Sequence, residues 1–484
     1  MLAFEATLNR EQGIRNREPK VFELWRKNRV NDFVNYVILS FFIMRKILII
    51  LLSVLATMAA NAQGWTLDSC VSYAQQQSYS VIRANMAVKN AEIAERSARL
   101  AMTPSVNAGI GENLSFGLVE GANNIRENRT QSTTSFNASV SMPLFTGLRV
   151  TNQIKRTGAD LQAALAEVET AKENVELNVI TYYLQAIYYR EMQSVQKQQL
   201  ALSEQLLERT QLLVAEGRKS ESELYEVEAQ VAQNRQALTE AENSYRLALV
   251  DLCQLINYKD LEGFVNAMSH LSENSQFSIL NSQFSTLLPT PDDVFAHAVA
   301  NRPSIEAQRN RVASAEFAVK ETKAEFYPQL NLNASWGTGY YHMFNGNNPA
   351  FGNQFVNNGS EVIGLSLNIP IYNRMQVRHA VKRQQIALDE ARLSEQEITD
   401  RLYKDIQSAY YNALAAQEKH TAAQKSRESA SKALEFAQSK YELGRLSTYE
   451  YNEAQTRLYR AEAEETQAKY EYLLRTRILE FYMR

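Results

Sequence analysis

Proline and glycine are scarce, at 9 and 17 in 484 residues. Both are the usual punctuation of helices, so most of this chain can run in long uninterrupted helical stretches. Cysteine is scarcer still. Cys70 and Cys253 are the two present, too few for a disulfide framework. The five histidines (His270, His297, His342, His379 and His420) are scattered, and no pair has the spacing of metal ligands. No catalytic constellation is visible, so nothing in the pattern points to an enzyme, a cofactor or a metal. Basic charge is not in excess: 51 Lys and Arg stand against 54 Asp and Glu, unlike a nucleic-acid-binding footprint. With 22% charged and 45% hydrophobic residues, the composition fits neither a disordered chain nor a helical membrane protein.

The first 62 residues read as a segment apart. Arg45 and Lys46 form a basic start, and Ile47 to Ala56 is an apolar run too short to span a bilayer comfortably. Ala60-Asn61-Ala62 places small residues at the two positions that specify cleavage, which predicts a cut after Ala62. The signal begins naturally at Met44, so the residues before it read as upstream sequence from an earlier start. An uncleaved anchor is the alternative. Export permits a disulfide. Cys70 follows the small-residue site too late, and behind acidic Asp68, to suit a lipid attachment site. It reads as a buried free thiol just inside a helix that Thr66 or Asp68 caps.

What the sequence does have is a copy of itself. Thr66 to Gly111 aligns without a gap on Thr290 to Ser335, with 10 of 46 positions identical, among them Thr66/Thr290, Ala91/Ala315, Glu92/Glu316 and Pro104/Pro328. Pro143 to Asn257 aligns in the same way on Pro370 to Arg484. The expected organisation is therefore a first repeat over 63–257, a Ser- and Asn-rich connector over 258–289 and a second repeat over 290–484.

Within each repeat the period changes. Helical sequence ends at the shared Pro104 or Pro328, and alternation begins. Val106, Ala108, Ile110, Leu114, Phe116 and Leu118 alternate with Asn, Gly and Ser. So do Phe136 to Leu144, Leu330 to Trp336 and Ile363 to Ile369. An apolar face suits lipid, a small polar face suits a wet lumen, and roughly ten residues suffice for a tilted crossing. This predicts one hairpin per repeat, joined by polar exposed loops at Glu120–Ser132 and His342–Gly359. Phe116, Trp336, Tyr340 and Tyr341 are candidates for an interfacial aromatic girdle. Long helices follow, Thr151 to Glu216 and Met375 to Leu443, each about 100 Å. Val175, Val179, Tyr182 and Ala186, matched by Leu402, Ile406, Ala409 and Ala413, form a coiled-coil seam. Breaks at Gly217-Arg218 and Gly444-Arg445 turn each helix back on itself.

Four strands cannot close a barrel, and open edges in lipid cost several kcal/mol per unpaired group. The chain must borrow strands from copies of itself. Three copies give twelve strands and a wet lumen, so a homotrimer is expected.

In this arrangement the sequence resembles the TolC-like outer-membrane efflux factors. The likeness spans about Trp65 to Arg484. Its markers are Asn301-Arg302-Pro303, Tyr327-Pro328-Gln329-Leu330, Leu367-Asn368-Ile369-Pro370-Ile371, Val140-Ser141-Met142-Pro143-Leu144-Phe145 and Tyr441-Glu442-Leu443-Gly444. The resemblance implies an α+β membrane protein: long antiparallel helical hairpins forming a periplasmic α-barrel, plus four strands per chain in a trimeric twelve-stranded outer-membrane β-barrel. It implies a passive exit duct for a tripartite efflux or type I secretion system, with a periplasmic membrane-fusion adaptor and an inner-membrane transporter as partners. It also implies a gate at the hairpin tips, where Glu450 and Glu453 match an acidic ring, Tyr441 matches a gate tyrosine and Arg445 lies one residue before a gate arginine. Glu223 and Glu226 are the first-copy equivalents; each pair shares a helix face, and like-charge repulsion around a threefold axis would raise its pKa values. Gly217, Arg218, Gly444 and Arg445 are candidates for adaptor docking. Where the family often has paired glycines after the strand-ending proline, this chain has Thr146-Gly147 and Asn373-Arg374, so those turns are expected to differ in shape. The rival reading is a periplasmic coiled-coil structural or adhesive protein anchored in the outer membrane.

Overall fold

The computed structural model describes residues 65–120, 126–269, 290–344 and 346–484. The leader over 1–62 and most of the connector lie outside the described residues. Those described fall into two compact units, Trp65 with 263–269 in one and the rest in the other. The Trp65 and Phe264 rings meet at 5.3 Å within the smaller unit.

In the larger unit, α1 (Leu67–Gln77) and α2 (Tyr79–Leu100) lead into β1 (Ser105–Glu120) and β2 (Arg126–Phe145). Then come α3 (Arg149–Ala215), α4 (Glu221–Leu255) and α5 (Leu261–Ser269), which crosses into the smaller unit. The order continues with α6 (Pro291–Asn301), α7 (Pro303–Lys323), β3 (Gln329–Met343), α8 (Phe351–Asn357), β4 (Ser360–Asn368), α9 (Gln376–Glu442) and α10 (Thr448–Met483). Helices α3 and α9 are both 67 residues long, and α1 and α6 are both 11.

Local signals explain most boundaries. Thr66 caps α1 by accepting from the Ser69 amide at 3.2 Å, and Thr290 caps α6 by accepting from Asp293 at 3.4 Å. The sequence before Pro104 reads as one helix, but it breaks at Ser78 (φ −64°, ψ 135°), in step with the break at Arg302 (φ −71°, ψ 124°). Pro303 forces the second break, because the residue before a proline is pushed out of the helical region. The first has no proline; there the Ser78 hydroxyl shares a hydrogen bond with the Ser80 hydroxyl at 2.9 Å.

The turns after the strand-ending prolines do not differ in shape. Gly147 and Leu148 are left-handed (φ 62° and 68°), and so are Arg374 and Met375 (φ 53° and 64°). The second copy thus holds two non-glycine residues in a conformation costing roughly 1–2 kcal/mol each. At Gly147 a Cβ would stand 2.7 Å from both the Ala324 oxygen and Tyr327 Cβ, so backbone proximity as well as φ requires glycine there.

The sheet runs β1-β2-β3-β4, all antiparallel, and among the described residues β1 and β4 are its open edges. Three strands exceed the expected ten residues, at 16, 20 and 15, whereas β4 has nine. The register puts Val106, Val140, Ala334 and Ile363 in one row on one face, and Asn107, Ser139, Ser335 and Val362 in the next row on the other. The loop expected over His342–Gly359 instead contains α8, whose Gln354 is 3% exposed.

Among the helices, α2 packs on α3, α3 on α7 and α7 on α9; further along, α4 packs on α3, α3 on α10 and α10 on α9. Val175, Val179, Ala186, Leu402, Ile406, Ala409 and Ala413 of the seam are buried, while Tyr182 is half-buried and Tyr183 takes the interior. Ile406 is fully buried against Val294, Ala298, Ile305 and Leu402. Truncating it to alanine would cost about 2–5 kcal/mol. No helix among the described residues is long and apolar enough to cross a membrane.

Candidate functional site

Each long helix ends in a glycine turn. Gly217 (φ 68°) and Gly444 (φ 69°) supply the left-handed residue. Arg218 donates its amide to Leu213 O and Arg445 donates to Lys440 O, both at 2.9 Å, closing the same six-residue turn twice. All four turn residues are exposed. The returning helices are capped by Ser220 and Ser447. At Ser447 the cap is reciprocal: its hydroxyl accepts from the Glu450 amide at 3.2 Å, and Glu450 Oε2 accepts from the Ser447 amide at 3.0 Å. Glu450 is thus committed to its own helix start. Those hydrogen bonds from Ser447, backbone first, hold its carboxyl below the usual carboxylate range.

A clasp joins the two tips. Lys219 Nζ donates to Glu223 Oε2 and to the Tyr441 hydroxyl, each at 2.9 Å, and lies against the Thr448 hydroxyl. Thr448 in turn donates to Glu223. The Tyr441 ring stacks on Tyr451 at 4.7 Å and 9°, with Lys219 Nζ 4.7 Å and the Arg209 guanidinium 5.7 Å from its centre. Beneath it Leu206 and Val227 complete a small core, and Tyr441 is 8% exposed. Burial would pull the Lys219 pKa down, but the hydrogen bonds with Tyr441 and Glu223 outweigh it, and the group sits above the ordinary lysine value. Hydrogen bonds from Thr448 and Lys219 hold Glu223 below the ordinary carboxylate value. Inside one chain, therefore, the neighbours of Glu223 and Glu450 push opposite to the like-charge repulsion expected of an acidic ring.

Of the tip residues singled out in the sequence, Glu223 and Tyr441 come together here. Glu226 is exposed, and Glu453 is exposed and paired with Arg457 at 2.5 Å. Arg445 is exposed on its turn. Lys219, Thr448 and Tyr451 were not singled out. Their first- or second-copy counterparts, by the shift of 227, are Leu446, Glu221 and Leu224. The signal that marks them is difference between the copies, not identity.

In the sheet, Phe116, Trp336 and Tyr340 share the apolar face, and Tyr341 lies on the opposite one. Phe116 is 73% exposed, whereas Tyr340 packs on Phe351 at 5.2 Å and Trp336 on Phe355 at 5.9 Å.

The family described as outer membrane efflux protein matches residues 70–258 and 294–483. The outer membrane efflux protein BepC of Brucella suis biovar 1 (strain 1330) is 21% identical over 364 residues, 74% of each chain. The Campylobacter jejuni CmeC outer membrane channel superposes with a TM-score of 0.71 at 16% identity, covering 86% of this chain and 85% of that one. The open state of the Neisseria gonorrhoeae MtrE outer membrane channel gives 0.69 at 18%, covering 86% and 88%.

Proposed function

The chain belongs to the outer membrane efflux protein family, and from that premise we propose that three copies form a passive duct across the outer membrane, gated at the hairpin tips. The two repeats of each chain contribute alternating parts. The observation that carries the reading is a matched pair of open flanks. Among the described residues the sheet leaves β1 and β4 without outer partners. The helix layer leaves α2 and α9 at its flanks. On α2, Tyr79, Met86, Ile93 and Leu100 recur every seven residues and are all more than half exposed; on α9, Ile386 and Leu393 do the same. Unpartnered heptad stripes are seams in search of a helix. A neighbouring copy placed against both flanks covers sheet edges and stripes with one rotation, and three such steps close twelve strands around a lumen.

The sheet then lies in the outer membrane and the long helices reach through the periplasm. Energy comes from an inner-membrane transporter, and a periplasmic adaptor engages the exposed Gly217-Arg218 and Gly444-Arg445 turns. The Lys219–Glu223–Tyr441–Thr448 clasp biases each tip toward its closed packing, and the adaptor shifts that population. Around the axis Glu450 and Glu453 present acidic rings that attract cations. Conductance across planar bilayers tests this. Replacing Glu450→Gln and Glu453→Gln together should weaken cation selectivity and divalent block. Unchanged selectivity in a conducting protein removes the rings from the account, and absence of conductance in wild type and clasp variants removes the duct.

A further inference from the structure

The outer edge of β3 is sealed by side chains. Gly337, Gly339, Tyr341 and Met343 turn their backbone groups toward β4, but β4 reaches only as far as Ser360, opposite Gly337. Beyond it three amide side chains continue the ladder. Asn358 Nδ2 donates to Gly339 O at 2.6 Å. Gln354 accepts from the Tyr341 amide at 2.9 Å and donates to its carbonyl at 3.0 Å. Asn348 does the same for Met343, at 2.7 and 2.8 Å. An amide carries one acceptor and one donor set, as a peptide group does, so each stands in for a strand residue. Phe351 and Phe355 of α8 lie over the apolar sheet face, on Tyr340, Phe136 and Trp336. No further strand can add there.

The opposite edge of the sheet has the complementary surplus. β1 is 16 residues long and β4 nine, so a β4 from another copy leaves seven positions of β1 with no strand to pair. With inner ends level, the surplus is the outer stretch from Leu114. There Leu114, Phe116 and Leu118 are 52%, 73% and 73% exposed on the apolar face. Lipid is a poor cover for them. At that level the adjacent strand offers polar side chains on the same face: Leu114 stands opposite Ser132 and Phe116 opposite Thr130, beyond Glu112, which both Ser132 and Thr134 contact.

Resting on the ring of copies inferred above, we propose that the outer half of β1 seats against α8 of the neighbouring copy, not against a strand. Where that neighbour's β4 stops, its α8 takes over, presenting Phe351 (52% exposed) and Val356 (75% exposed) to Phe116 and Leu118. α8 thus ends the strand ladder of one chain and forms an apolar contact with the next. The contact is continuous with the β4–β1 seam.

Cysteine pairs in the full-length protein test it. Leu118→Cys with Val356→Cys, and separately Phe116→Cys with Phe351→Cys, are treated with a short bismaleimide in detergent. A link within one chain adds no second chain and so gives no ladder, and native Cys70 and Cys253 are buried. The expected result is a ladder of covalent dimers and trimers from either pair and none from the single variants. Light scattering on the same samples separates the outcomes. A trimer without a ladder overturns the α8 contact and leaves the ring standing, whether the unlinked thiols then react with a water-soluble or a lipid-soluble maleimide. A monomer overturns both.

Discussion

Removing the Lys219 ammonium should open the duct. In Lys219→Met, the methionine keeps most of the stem but abandons contacts to Glu223 on its own tip and to Tyr441 and Thr448 on the other. A hydrogen bond to a charged partner is worth about 1.5–3 kcal/mol net. Glu223 is about a third exposed (34%), which lowers the ion-pair share. About 2 kcal/mol per chain is a fair figure, or about a thirtyfold shift. Three clasps, one per chain, acting independently give about 6 kcal/mol. Moving a two-state population from 1:99 to 99:1 takes about 5.5 kcal/mol. Single-channel recordings should therefore find wild type mostly closed and Lys219→Met mostly open. A cycle with Tyr441→Phe should show the two substitutions to be non-additive, because they remove the same contact. pH acts with a definite sign. The depressed pKa of Glu223 stabilises the clasp above the ordinary value of 4.5, and that contribution is lost as pH falls through the lowered pKa. The raised pKa of Lys219 contributes fully below 10.5 and is lost as pH rises through the raised value. Opening should rise in acid in wild type and flatten in the variant. An unchanged closed fraction in a trimeric Lys219→Met would refute the reasoning.

Two further outcomes concern stability. Arg302 is buried, pairs with Glu173 at 2.9 Å, donates to Phe481 O at 2.6 Å and lies 4.1 Å from the Phe481 ring centre. Arg302→Met should cost about 3–5 kcal/mol in thermal or denaturant unfolding. Burial already raises the Glu173 pKa against the pull of Arg302, so the deficit should shrink as pH falls through that raised value. At the turns, Gly217→Ala meets open space and should cost about 1–2 kcal/mol, the left-handed penalty alone. Gly147→Ala adds two contacts of 2.7 Å and should lower the melting temperature clearly further.

The legible parts of this fold were those written by short-range rules. The helix start at Thr66 to Asp68, the glycine turns at 217 and 444, the seam through Ile406 and the two-residue period of the strands all rest on neighbours within a turn or a pleat. What escaped depends on long separations. The clasp joins Lys219 to Thr448, 229 residues apart, and no local pattern marks a lysine as the partner of a distant tyrosine. The Asn- and Gly-rich stretch before Ser360 has the composition of a loop, yet Asn348, Gln354 and Asn358 are there because their amides copy a strand. The kink at Ser78 has no proline to announce it. The hydroxyl partners of Glu223 and Glu450 were equally hidden: Thr448 lies 225 residues from Glu223, and the Ser447 cap on Glu450 shows only once the turn is folded.

The central claim is that separate chains must complete one another's sheet. Light scattering of the purified full-length protein tests it most directly. The account predicts a stable trimer that needs detergent to remain in solution. A folded monomer in plain buffer, with β1 and β4 left open to water, would contradict it.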